Sequence, residues 1–151
     1  PTYRSFQLLH ESGFSRVSSN ITSSTGLCGQ TTGVIATRNN TVSNGTSEDL
    51  LMLFYNHAEE GAPIIDCALT VNLIGLASTE GATIRRIDVN NSNPLQTWID
   101  MGMPQYPTES AIQTMIQSSQ LVELPFSITS PSFFIEIPAH GVVAIKIPLV
   151  A

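Results

Sequence analysis

Hydrolytic or proton-transfer chemistry needs acids, bases or nucleophiles that can meet at one point, and this chain offers few. Its acidic pairs, Glu48-Asp49 and Glu59-Glu60, fall in turn-rich stretches. Adjacent carboxylates in such places form solvated rims, and nothing near them tunes a proton donor. His10, His57 and His140 stand 47 and 83 residues apart, which matches no metal motif and predicts surface or loop histidines. Serines are plentiful, but there is no G-x-S-x-G elbow, and "STGLCGQ" lacks both the glycine spacing and the lysine of a phosphate loop. The single Trp98 lies beside a Pro-rich turn. An indole there is expected to plug a core, with sugar stacking by Trp98 and Tyr106 as the functional alternative. No set of residues calls for a cofactor or a metal.

Composition excludes further classes. Six Lys plus Arg against twelve Asp plus Glu give a formal charge of -6, so no positive field is available for nucleic acid or an anionic membrane. Only 12% of the 151 residues are charged, and solubility must rest on Ser, Thr and Asn or on something attached to them. Four N-x-S/T acceptors, at Asn20, Asn39, Asn44 and Asn90, fall in stretches that read as loops. They favour N-linked glycans on a secreted, extracellular or lysosomal protein. Cys28 and Cys67 are the only cysteines; in that context they read as one disulfide, with two buried free thiols as the alternative. No apolar run reaches the ~20 residues of a membrane span and no signal peptide is read. The chain starts at Pro1 without Met, which fits a processed or trimmed product.

These residues would be held by a mostly β chain. Residues 2–13 put Phe6, Leu9, His10 and Gly13 on one helical face, and residues 15–32 show no period and read as a polar loop. "LLMLFYNH" (50–57) is apolar on both alternating faces and predicts a central strand. In "DCALTVNLIGL", Cys67, Leu69, Val71 and Leu73 share one face. "ATIRRIDV" and "LVELPFSI" (121–128) read as further strands, and "SFFIEIP" with "GVVAIKIPLV" as a hairpin turned through "PAHG". Between them, Pro107, Thr108 and Glu109 start a helix, about 107–118, with Ile112, Met115, Ile116 and Ser119 on the face expected to cover the sheet core. Arg85 and Arg86 point to opposite faces, so one at most is buried, and it needs a carboxylate such as Asp88 or Asp100. The sum is one antiparallel β-sandwich (33–151) behind a polar loop (15–32) and an N-terminal helix (1–14).

The order of these pieces resembles the C-terminal β-domain of the β-xylosidase and α-L-iduronidase family of retaining glycoside hydrolases, family 39. That family follows a strand ending in Arg-x-x-Asp with a loop, an aromatic, "x-x-G-x-P", a "Pro-Thr" helix start and a Pro-turned hairpin. Here these features fall on Arg85 or Arg86 with Asp88, Asn93-Pro94, Trp98, Gly102 with Pro104, Pro107-Thr108 and Pro138. The resemblance is firm from Leu50 onward, and "YRSFQLLHESGF" looks like the last helix of a catalytic barrel. It implies that the two catalytic carboxylates belong to barrel strands upstream of Pro1, so no catalytic residue is assigned here. The expected role is a non-catalytic module bracing a catalytic barrel, as a domain or a separate chain. The alternatives are a glycosylated structural domain assembling with copies of itself or other glycoproteins, and a carbohydrate-binding module.

Overall fold

The computed structural model describes residues 2–13, 15–20, 26–41 and 47–149. Along them run α1 (Thr2–His10), β1 (Ser15–Arg16), α2 (Leu27–Thr31), β2 (Thr32–Thr41), β3 (Ser47–Asn56), β4 (Cys67–Asn72), β5 (Thr83–Ile87), α3 (Pro94–Asp100), α4 (Glu109–Ser118), β6 (Leu124–Pro125), β7 (Ser132–Ile137) and β8 (Val142–Leu149). The strands are antiparallel and form a six-stranded sheet, β1-β2-β3-β8-β5-β6, and a two-stranded sheet, β4-β7. The mostly β, antiparallel class expected from the sequence is the one that forms.

The alternation along β3 dictates the layering. Leu50, Met52 and Phe54 point to one side, where they meet Leu69, Ile135 and Ile137 of the small sheet. Leu51 and Leu53 point to the other, where they enclose Leu8 of α1 together with Ile87 and Ala144. The molecule therefore has three layers, with β3 and β8 central and covered on both faces, as the apolar run 50–57 predicts. Val143, Ile145 and Ile147 of β8 fill the same inter-sheet core. The edge strands of the large sheet, β1 and β6, are each two residues long and pair with only Thr37 and Arg38 of β2 and with Thr83 and Ile84 of β5.

Four expectations need correction. β7 and β8 do not form a hairpin: β7 pairs with β4, and β8 with β3 and β5. Both strands alternate, but their apolar faces oppose each other across the core rather than lying side by side. Alternation alone cannot distinguish the two arrangements. The connecting turn is closed by the Gly141 N–H donating to the Pro138 carbonyl at 2.9 Å, with His140 in the left-handed region at φ 55°. Within 121–128 only Leu124 and Pro125 are strand; the Phe126 N–H makes one more bond, to the Ala82 carbonyl at 2.8 Å, and Phe126 and Ile128 then pack against the inter-sheet core. The stretch 15–32 contains β1 and α2, too short to leave a period. The N-terminal helix ends at His10, and its buried residue is Leu8, whereas Phe6 and Leu9 face outward.

One glycine is needed where it stands. Gly33 lies opposite Tyr55 in the β2–β3 register, and a Cβ at Gly33 would enter the Tyr55 ring. The aromatic side chain lies over the bare backbone of its neighbour, so a larger residue at Gly33 would have to displace the half-exposed Tyr55 ring.

Candidate functional site

Charged side chains converge where α1 meets the large sheet. Arg85 and Ile87 share the β5 face that looks toward α1, and Arg85 is nearly buried there. Its Nη1 reaches Glu11 Oε2 at 2.5 Å and its Nε reaches Glu123 Oε2 at 3.7 Å, while Lys146 Nζ lies 3.6 Å from Glu123 Oε1. A buried guanidinium needs such partners. They are not the ones expected: Asp88 and Asp100 are both engaged elsewhere. Asp88 Oδ1 accepts the backbone N–H of Asn90 and of Asn91 at 2.8 and 2.9 Å, closing the turn after β5. Asp100 accepts from Gln96 Nε2 one helical turn away. Arg86 faces the small sheet and donates to the Glu136 carbonyl at 2.9 Å. The Glu11 and Glu123 carboxylates do converge, but on cations, which suits fastening α1 rather than delivering a proton.

Beyond that cluster lies a helical hairpin, α3 and α4. Asn93 caps α3 by accepting the Leu95 N–H at 3.1 Å with Pro94 following, a start signal that was available in "NSNP". Thr108 caps α4 as expected, accepting the Ala111 N–H at 3.3 Å. The two helices pack on each other, yet neither holds a buried residue, and Ile112 and Ile116 remain exposed. The face expected to cover the sheet core does not do so. Trp98 is half-buried and its indole N–H donates to the Pro104 carbonyl at 3.3 Å, while Tyr106 stands 85% exposed. The hairpin is tied to the body through Ser92, whose hydroxyl reaches the carbonyls of Arg86 and Gln120, both at 2.9 Å.

Where β3 leaves the large sheet, beside the start of β8, Asn56 organises the crossing between the sheets. It is fully buried, and its Nδ2 donates to the carbonyls of Ile65 and Ile137 at 2.8 and 3.1 Å. His57 and His140, far apart in sequence, meet edge to face with ring centroids 5.7 Å apart. Only the inter-sheet turn brings them together, so spacing gave no warning. Among the described residues no group of three or more His, Cys, Asp or Glu is arranged to hold a metal. Cys28 and Cys67 form a disulfide that links α2, which feeds β2 in the large sheet, to the first residue of β4 in the small one.

Of the glycan acceptors, Asn20 and Asn90 are exposed outside regular structure. Asn39 is half-buried within β2 opposite Asp49, not in a loop, and Asn44 lies outside the described residues. The acidic pairs are separated: Glu48-Asp49 opens β3, and Glu59-Glu60 lies in an exposed turn. No helix among the described residues is long and apolar enough to cross a membrane.

Comparison with known proteins bears on what this scaffold serves. Residues 1–130 match the family described as glycosyl hydrolases family 39. A β-xylosidase of Caldicellulosiruptor saccharolyticus is 26% identical over 152 aligned residues, covering 97% of this chain and 29% of that protein. The GH39 enzyme from Xanthomonas axonopodis pv. citri shares the fold with a TM-score of 0.61 at 16% identity, over 99% of this chain and 30% of that one. A monomeric β-xylosidase from Caulobacter crescentus CB15 does so with a TM-score of 0.53 at 20% identity, over 78% and 26%. The chain thus spans less than a third of the length of each.

Proposed function

The chain belongs to glycosyl hydrolase family 39, and from that premise we propose that it is a non-catalytic β-sandwich module bracing the catalytic part of a β-xylosidase-like enzyme. The observation that carries this reading is the coverage: nearly the whole chain aligns with a β-xylosidase, yet with only 29% of it. Retaining glycosidases act through two carboxyl groups about 5 Å apart on either side of the scissile bond. The carboxylates that converge in this chain, Glu11 and Glu123, are held by Arg85 and Lys146, which supports leaving the hydrolysis to the remainder of such an enzyme.

The disulfide and the exposed acceptors at Asn20 and Asn90 support a secreted or lysosomal glycoprotein as the setting. The test is enzymatic. The isolated 151 residues should leave an aryl β-xyloside intact, while a family 39 catalytic domain lacking its own aligned segment should gain thermal stability when this chain is fused in its place. Hydrolysis by the chain alone, abolished by substitution of its own carboxylates, would refute the proposal. Intact mass of secreted material before and after deglycosylation tests the setting.

A further inference from the structure

We propose that the groove between the β4–β5 connection and the chain running from β6 to β7 binds a neutral oligosaccharide of xylose units; the choice of xylose rests on the β-xylosidase-like reading above. The groove has two parts that run into each other. The larger, about 560 Å³, lies between residues 78–82 and 125–128, and the smaller, about 130 Å³, between residues 73–79 and 128–131. Ser78, Thr79 and Ile128 line both. The larger part falls within the roughly 300–1,000 Å³ of sites that take small organic ligands.

The floor is apolar. Leu73, Leu76, Phe126 and Ile128 are half-buried, packed against the inter-sheet core while lining the groove. Phe126 is held by an edge-to-face contact with Phe133, ring centroids 5.6 Å apart, and a ring fixed in this way offers apolar surface to the C–H side of a pyranose. The rim is hydroxylated. Ser78 Oγ accepts the Glu80 N–H at 3.1 Å and Ser130 Oγ the Ser132 N–H at 3.3 Å, while Thr79 Oγ1 donates to the Ile128 carbonyl at 3.0 Å. A hydroxyl can both donate and accept, so these bonds leave capacity for a ligand. Ser127 and Thr129 add exposed hydroxyls to the same wall. An apolar floor beneath mixed donors and acceptors suits a sugar, which carries C–H groups on its faces and hydroxyls around its edge.

Charge narrows the class. Glu80 is the one ionisable side chain among the lining residues. Phosphate, sulfate or a uronic acid calls for Arg or Lys, and none lines this groove, so the ligand is uncharged. The walls are also tied to each other. The Leu73 N–H donates to the Pro131 carbonyl and the Phe126 N–H to the Ala82 carbonyl, each at 2.8 Å, with the Thr79–Ile128 bond between them. Bonds at both ends and in the middle set the spacing before a sugar arrives, which lowers the ordering cost of binding.

The test is isothermal titration of the 151-residue chain with xylotetraose. Binding should saturate, and tetragalacturonic acid, of the same length but acidic, should bind at least about tenfold more weakly. Ser127→Ala with Thr129→Ala, both exposed, should leave the melting temperature within about 2 °C and weaken xylotetraose by about tenfold through the loss of two hydrogen bonds. Phe126→Leu, which keeps apolar volume but removes the ring, should weaken it by a similar factor; the hydroxyl pair reads the same groove without touching the core. Trp98→Ala should bind as the parent does. Absence of saturable xylotetraose binding overturns the inference and leaves the bracing role, read from thermal stability without sugar, standing. Tighter binding of the acidic sugar overturns it, as does xylotetraose binding that survives both groove variants or is lost with Trp98→Ala.

Discussion

Removing the Cys28–Cys67 disulfide should cost as much as emptying a large side chain from the core. The bridge spans 39 positions of sequence. Closing a loop of that size in the unfolded chain removes about 13 cal/mol/K of entropy, or about 4 kcal/mol at 25 °C. Domains of this kind are stable by roughly 5–15 kcal/mol in total, so the loss is a large fraction. With an unfolding entropy of about 2.1 cal/mol/K per residue, the melting temperature of the 151-residue chain should fall by about 12 °C. Cys28→Ala is the cleaner variant, because Cys28 is half-exposed whereas Cys67 is buried in the inter-sheet region and can remain as an inert apolar thiol. Urea unfolding of Cys28→Ala, and of the parent with and without reductant, gives the difference directly. Hydrogen exchange should show the loss concentrated in β4 and β7, the layer that the bridge staples to the rest. A cost below about 1 kcal/mol in both the variant and the reduced protein would mean that packing alone fixes the two sheets, and would refute this account.

Other perturbations address the remaining contacts. Leu8→Ala, which empties the pocket between α1 and the large sheet, should cost about 2–5 kcal/mol in urea unfolding. Asn56→Ala leaves the interior Ile137 carbonyl without its Nδ2 donor; at about 1–3 kcal/mol for a buried group left unpaired, it should lower the melting temperature by several degrees, with Asn56→Asp no rescue because a carboxylate cannot donate. Gly33→Ala drives a Cβ into the Tyr55 ring and should cost about 1–3 kcal/mol, recovered in part by Tyr55→Ala in a double-mutant cycle. Arg85→Met should cost only about 1 kcal/mol, since Glu11 and Glu123 are more than a third exposed and solvent screens such pairs; the difference should shrink further in 1 M salt.

The parts of the fold that were readable in sequence are those whose burial has a period. The run 50–57 identified a strand covered on both faces, and Cys67, Leu69 and Val71 identified the inner face of β4, because neighbours on both sides of a pleat leave a mark on every residue. The Thr108 cap was equally visible, since one hydroxyl at one position does the work. Periodicity failed where two arrangements demand the same pattern. Phe133 to Ile137 and Val143 to Ile147 alternate identically whether they pair with each other or face each other across a core. It failed again on α4, where the apolar spacing was assigned to the cover of this chain's own core, although Ile112 and Ile116 look outward. The partners of Arg85 could not be read either. Nearby Asp88 was the natural candidate, but the Asn90 and Asn91 N–H groups occupy it, and the acids that serve instead arrive from Glu11 and Glu123, distant along the chain.

The crossing at Pro138–Gly141 also sets an order of events. Had β7 and β8 paired, the C-terminal strands could have closed locally within microseconds, as hairpins do. Instead Leu69 of β4 must find Ile135 of β7 across 66 positions, and loop closure over that distance must be met before any contact rewards it. The small sheet has no local nucleus of its own. The same holds for the centre of the large sheet, where Met52 of β3 meets Ile145 of β8 across 93 positions, so neither layer is complete until the C-terminal strands dock.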